Sequence, residues 1–211
     1  MNLEKRIELA KRFFSDNQNS ARNFLENAIN ALLGNPVAFE KVLEAVANSP
    51  VFIREQIFWT KLAMFLDGIY LSDDDRAKLL AKLTEDGNGQ ENFERLITLI
   101  DRAETKQKIQ YFINATRSLI ENRISLSNYF RICHGVADTL NEDLIFMTAH
   151  IQEDAMPQNI NVHGLMASGL MYHSSIPITM VKYYSFTETA HLIDKYAITC
   201  DYNAQYPNSK V

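Results

Sequence analysis

The sequence predicts a mainly α fold, a multi-helix bundle of about eight or nine helices followed by a small α+β module of helix, β-hairpin and helix. Three observations carry this reading. Apolar residues recur at helical spacing through the first 150 positions, punctuated by capping residues. Glycine (7) and proline (5) are scarce, against an all-β chain with many special turns. Only Leu165 to Ile198, "LMASGLMYHSSIPITMVKYYSFTETAHLIDKYAI", departs from plain helix.

In order, Leu3, Ile7, Ala10 and Phe14 mark a first helix, and Phe24, Leu25, Ala28, Ile29 and Leu32 a second that stops at Gly34. Asn35-Pro36 opens a third, the asparagine as cap and the proline at the first helical position, where its missing N–H costs nothing. Ser49-Pro50 repeats that signal before a long helix to about Ile69. Ser72 with Asp75 forms a capping-box-like start for the helix of Leu79, Leu80 and Leu83, with acidic residues facing the positive helix end. "EDGNGQ" is a loop. Phe93, Leu96, Ile97 and Ile100 mark the next helix, and Ile109, Phe112, Ile113, Thr116 and Ile120 another. Ser125 caps a stripe of Leu126, Tyr129, Phe130, Cys133, Val136 and Leu140; Asn141-Glu142-Asp143 is expected to cap a short helix through Ile151. "QEDAMPQN" suggests a boundary, giving a helical part at 1–156 (N-terminal helices 1–48, central helices 49–156) and a module with its tail at 157–211.

The helix at 51–70 places Val51, Phe52, Phe58, Trp59, Leu62, Phe65, Leu66 and Ile69 on one broad face at about 100° per residue. Ile53, Ile57 and Met64 form a second, narrow apolar stripe within the polar side that carries Lys61. Two apolar sides predict a helix sandwiched between elements or buried in a dimer interface. Glu55 falls inside the broad apolar face and so needs a cationic or hydrogen-bonding partner. Phe52, Glu55, Phe58, Trp59 and Phe65 are therefore candidate core or interface residues.

In the C-terminal stretch Gly169 sits where a left-handed helix cap belongs, and Thr187 caps "ETAHLIDKYA". The order of helix, two strands and helix resembles the second half of a winged helix-turn-helix. Its charges argue against a DNA reader. From Pro157 to Val211 there are three basic residues (Lys182, Lys195, Lys210), three acidic ones (Glu188, Asp194, Asp201) and no arginine. Phosphate contacts dominate DNA affinity, and arginine is the commonest guanine reader. Tyr183, Tyr184 and Phe186 are instead expected to form a seam closing the module onto the bundle.

The net charge of −5 gives no general attraction to nucleic acid or anionic lipid. The basic residues near the N-terminus (Lys5, Arg6, Lys11, Arg12, Arg22) are interleaved with acidic ones and read by default as a solvated face, this cluster being the one candidate for an anionic partner. The five histidines are 10 to 18 residues apart, without the close pairs that zinc sites use. Cys133 and His134 are helix neighbours and point about 100° apart, so they form no dyad. No phosphate loop, nucleophile elbow or carboxylate–metal motif appears, so no catalytic, cofactor-binding or metal residue is assigned and no cofactor is expected. The N-terminus lacks a signal-peptide pattern, and the charges within Val51–Tyr70 make it a poor membrane span, so a cytoplasmic protein is expected. The sequon at Asn114 then carries no meaning.

"VFIREQIFWTKLAMFLDGIYLSDDDRAKLLAKL", "LITLIDRAETKQKIQYFINATRSLIENRISLSNYFRICHGVADTLNEDLIFM" and the ending "GL…YYSFTETAHLIDKYAI" resemble, in order and spacing, a group of uncharacterised bacterial and prophage helical proteins. The ending is also similar to the close of abortive-infection alpha proteins. The resemblance implies a fold and a prophage or phage-defence setting, and it carries over no active-site residue. The sequence thus leads to a non-enzymatic cytoplasmic interaction or regulatory protein, with a protein partner or a homodimer in view. Its alternatives are a membrane-acting effector using amphipathic helix 51–70 and a DNA-binding regulator using the C-terminal module.

Overall fold

A computed structural model of the chain describes residues 53–69, 73–174 and 183–200. They are mainly helical, with a small three-stranded antiparallel sheet near the C-terminus. The chain divides into two compact units between Arg102 and Ala103.

Three helices of the first unit are described: α1 (Ile53–Ile69), α2 (Asp73–Thr84) and α3 (Gly89–Arg102). Leu62, Phe65, Leu66 and Ile69 of α1, Leu79 and Leu83 of α2, and Phe93, Leu96 and Ile100 of α3 form the core, as their spacing predicts. Each such side chain contributes about 1.5–3 kcal/mol by leaving water. The second apolar stripe on α1 behaves otherwise: Ile57 is exposed and Met64 half-buried. Lys61, expected on the polar side, is buried instead and reaches α3, donating to the carbonyl of Asp101 at 2.8 Å. The "EDGNGQ" loop turns on Gly87 at φ +78°, a left-handed conformation that favours glycine.

The second unit opens with α4 (Lys106–Ile120), capped by the Thr105 hydroxyl on the Lys108 N–H. Helix α5 (Leu126–Asp138) has Ser125 as its cap, accepting from the Asn128 N–H as the sequence predicts. Helix α6 (Asn141–His150) corrects one expectation. Leu140 occupies the cap position without a side-chain bond, Asn141 lies inside the helix, and Leu140 is exposed rather than part of the α5 stripe. Its two acidic first-turn residues, Glu142 and Asp143, still complement the helix dipole.

The "QEDAMPQN" stretch supplies strand β1 (Met156–Pro157). Helix α7 (Ile160–Ala167) follows, capped by Asn159 on the Val162 N–H at 2.8 Å. Its end is a Schellman turn. Gly169 takes φ +74°, its N–H reaches the Met166 carbonyl at 3.0 Å, and the Leu170 N–H reaches the Leu165 carbonyl at 2.7 Å. Leu165 and Leu170 are both buried beside it. Strands β2 (Met171–Ser174) and β3 (Tyr183–Phe186) pair antiparallel, with Met171 opposite Phe186 and His173 opposite Tyr184. β1 adds to the other side of β3, Met156 opposite Tyr184, giving the order β1-β3-β2. A two-residue strand containing proline leaves no alternation to read, which is why the sequence shows two strands and the fold three. Proline is tolerated because β1 is an edge.

Thr187 then starts α8 (Glu188–Ile193), accepting from the Ala190 N–H while its own N–H bonds the Leu170 carbonyl at 2.9 Å. The helix continues as a π-helical segment, Asp194–Ile198, which nothing in the local sequence announces.

One device recurs in both units. The penultimate carbonyl of a helix has no partner within its own helix. In α3 it is Asp101, taken by Lys61; in α2 it is Leu83, taken by the Asn92 amide at 2.9 Å. In α5 it is Ala137, taken by the Lys108 ammonium at 3.4 Å; in the π segment it is Ala197, taken by the Asn114 amide at 2.8 Å. Each donor is buried and comes from a different helix.

Candidate functional site

The C-terminal helix and what surrounds it concentrate the polar chemistry of the second unit. Gly135 on α5 lets this helix approach: a Cβ there would lie 2.6 Å from Cδ1 of Ile193. From α4, Asn114 bonds the Ala197 carbonyl and Ser118 donates to the Tyr196 carbonyl at 3.4 Å. A π turn shifts the backbone bond from i→i+4 to i→i+5 and so disturbs the carbonyl accounting. Asn114 and Ser118 restore it. The Asp194 carbonyl closes the segment, accepting both the N–H of Thr199 at 2.8 Å and its hydroxyl at 2.7 Å. Asn114 is buried in this role, so the sequon offers no accessible glycan acceptor.

The Asp194 side chain turns toward α6. Its Oδ1 is buried, as is Oγ1 of Thr148. Burial pushes the Asp194 carboxyl above the usual carboxylate range, while Thr148 and then His191 pull the other way. Elsewhere on α6, Asp143 is buried and accepts from the Asn161 amide of α7 at 2.9 Å. Its other oxygen fills the space over Gly164, where any Cβ would collide with the carboxylate.

Between α4 and α5, Thr116 donates to the Phe112 carbonyl at 2.7 Å, so the fully buried Tyr129 hydroxyl is the donor in their shared bond at 3.1 Å. Burial pushes that hydroxyl well above the ordinary tyrosine range. Cys133 is buried beside it as a free thiol. Four histidines are engaged locally: His150 with Glu153 at 2.6 Å, His163 with Gln158 at 2.8 Å, His173 edge-on to Tyr184, and His191 edge-on to Phe186. Among the described residues no three His, Cys, Asp or Glu side chains converge as a metal site would require.

The candidate residues of α1 do not meet in a polar site. Phe58 and Phe65 are buried in the first unit; Phe52 and the side chains of Glu55 and Trp59 lie outside the described residues. On β3, Tyr184 and Phe186 are buried and Tyr183 is half-buried, the alternation of a strand with one covered face. Sequence reasoning missed Lys61, Lys108, Asn114 and Asp194, because the partner of each lies far away in the sequence. It also missed a set of apolar side chains that face water: Leu140, Ile145 (52 % exposed), Ile160 (83 %), Met166 and Tyr172 (52 %), all in the second unit. A Cα–Cβ direction cannot be read from the apolar letter alone.

No family model, curated protein or solved structure matches the chain, so what it does must be read from its own residues.

Proposed function

We propose that the chain is a non-enzymatic interaction or regulatory protein of the cytoplasm, working through its second unit and belonging to a prophage or phage-defence setting. The observation that supports this is the set of exposed apolar side chains on α6, α7 and β2, led by Ile145, Ile160 and Tyr172. Single exposed apolar residues are ordinary, but several large ones within one unit favour a partner, either another protein or a second copy of the chain. The test is quantitative affinity capture from native lysate together with light scattering, comparing the natural chain with an Ile145→Lys/Ile160→Lys variant of unchanged circular dichroism. The variant is expected to lose a captured protein or the dimer. Identical capture and identical mass would overturn the reading.

A second reading rests on topology: helix α7, hairpin β2–β3 and helix α8 succeed one another as in a winged-helix-like module. On this reading the module binds DNA despite its few basic residues. A gel shift with salt titration decides, since phosphate-driven binding weakens steeply with salt. No helix among the described residues is long and apolar enough to cross a bilayer.

A further inference from the structure

We propose that Asn88 is a self-modifying site: the backbone nitrogen of Gly89 attacks its side-chain amide, and water then converts the residue to aspartate and isoaspartate. The chain holds a single Asn-Gly pair, and it lies in the exposed turn between α2 and α3. The chemistry balances with water alone. A bond forms between the Gly89 nitrogen and Cγ of Asn88, the Cγ–Nδ2 bond breaks, and ammonia leaves with the proton of the Gly89 N–H. Water then opens the resulting succinimide ring at either carbonyl. One opening leaves an ordinary aspartate. The other routes the main chain through Cγ, giving isoaspartate and lengthening the backbone by one methylene.

The turn leaves both reacting groups available. Gly89 begins α3, so its N–H belongs to the first turn and has no partner inside the helix. The Asn88 side chain is exposed and rests on Asp86, its amide 3.4 Å from the carbonyl there and facing the carboxylate. An exposed bond of that length is weak, so swinging the amide onto the next nitrogen costs little. Glycine at 89 is itself fixed by packing. A Cβ there would lie 2.7 Å from Cγ2 of Thr84, whose hydroxyl is anchored on the Leu80 and Ala81 carbonyls at 2.8 and 3.3 Å. The fold thus keeps an unhindered nitrogen beside the amide. Asn92 supplies the contrast within the same joint. It is buried, its amide is held by the Leu83 carbonyl and both Asp86 oxygens, and bulky Phe93 follows it.

The product acts on the joint between α2 and α3. The Asn88 N–H donates to Oδ1 of Asp86 at 2.9 Å, and its carbonyl accepts the Asn92 N–H at 3.0 Å, the first bond of α3. In isoaspartate that carbonyl leaves the main chain and becomes a carboxylate, so the first helical bond is disrupted. The new charge stands near the Asp86 carboxylate, and like charges at short range repel. The added methylene falls between the left-handed turn at Gly87 and the first residue of the helix. The conversion therefore loosens the start of α3 and leaves its far end untouched.

The experiment ages the full folded chain in mildly alkaline buffer and maps its peptides by fragmentation mass spectrometry, with enzymatic labelling of isoaspartate. Each conversion replaces NH2 by OH and adds one mass unit. The expected result is that shift at Asn88, as a mixture of aspartate and isoaspartate, with Asn92 unchanged. Isoaspartate forms only through the ring, so it separates this route from direct hydrolysis. Asn88→Gln, whose longer side chain disfavours ring closure, is expected to abolish the shift. Hydrogen exchange on the isoaspartate form is expected to show lost protection at the Asn92 amide, with Leu96 and Ile100 as protected as in fresh protein. A folded chain whose Asn88 converts no faster than Asn92 would overturn the proposal, as would aspartate without isoaspartate. An Asn92 amide protected equally in both forms would overturn the effect on the joint.

Discussion

The two units solve one problem with different materials. In the first, the described core is almost wholly aliphatic and aromatic, and the polar groups inside it, Lys61 and Asn92, each finish a neighbouring helix. In the second, Lys108, Asn114, Thr116, Arg117, Ser118, Thr139 and Asp143 are all buried. Some of these finish helices too, yet others bond side chain to side chain, as Asp143 does with Asn161 and Thr116 with Tyr129. Apolar packing alone tolerates many near-equivalent arrangements, whereas a buried polar group is satisfied in few. The described part of the first unit is thus stabilised chiefly by area, and that of the second is also specified by bonds.

The contrast can be broken most severely at Lys108. Lys108→Ala strips a fully buried side chain and orphans the Ala137 carbonyl, so a loss of about 3–5 kcal/mol is expected in urea unfolding of the second unit. Lys108→Met keeps most of the volume and should recover much of it. Next comes Asn92→Asp, which sets a carboxylate against the Leu83 carbonyl and the Asp86 carboxylate; a loss of about 2–3 kcal/mol should appear in the first unit's transition. Gly164→Ala forces the Asp143 carboxylate aside and should cost about 1–3 kcal/mol in the second unit, with Asp143→Ala/Gly164→Ala losing less than the sum of the two single changes. Thr187→Ala, a lost helix cap, should cost about 1 kcal/mol by thermal melting.

The smallest effect is one of pH. The Asn88 N–H, then the Asn92 amide, hold the exposed Asp86 carboxyl below its usual value of 3.8. A lowered carboxyl stabilises the fold above the unfolded value and loses that contribution as pH falls through the folded one. Asp86→Asn should therefore flatten the acid limb of the first unit's stability and leave the second unit's unchanged, as titration of each unit's unfolding would show.

How much of this is written locally can be judged residue by residue. Ser125, Thr187 and Gly169 announce their caps, because a cap is a bargain between residues three or four apart. The hydrophobic stripes of α3, α4 and α5 are legible for the same reason of period. Asn141 misled, since an asparagine before two acidic residues fits both the cap position and the first turn. Lys61, Lys108 and Asn114 are illegible: their partners lie 40, 29 and 83 residues away. The pairing of Asp194 with Thr148 is hidden likewise.

The side-chain bonds to penultimate carbonyls have a mechanical consequence. Each ties a point partway along one helix to the terminus of another, and so acts as a stop against sliding. Displacing a helix lengthwise by one turn, about 5.4 Å, would carry the carbonyl beyond the donor's reach, whereas a small roll about the helix axis would cost far less. Between the helices so tied, sliding is therefore opposed more strongly than rolling.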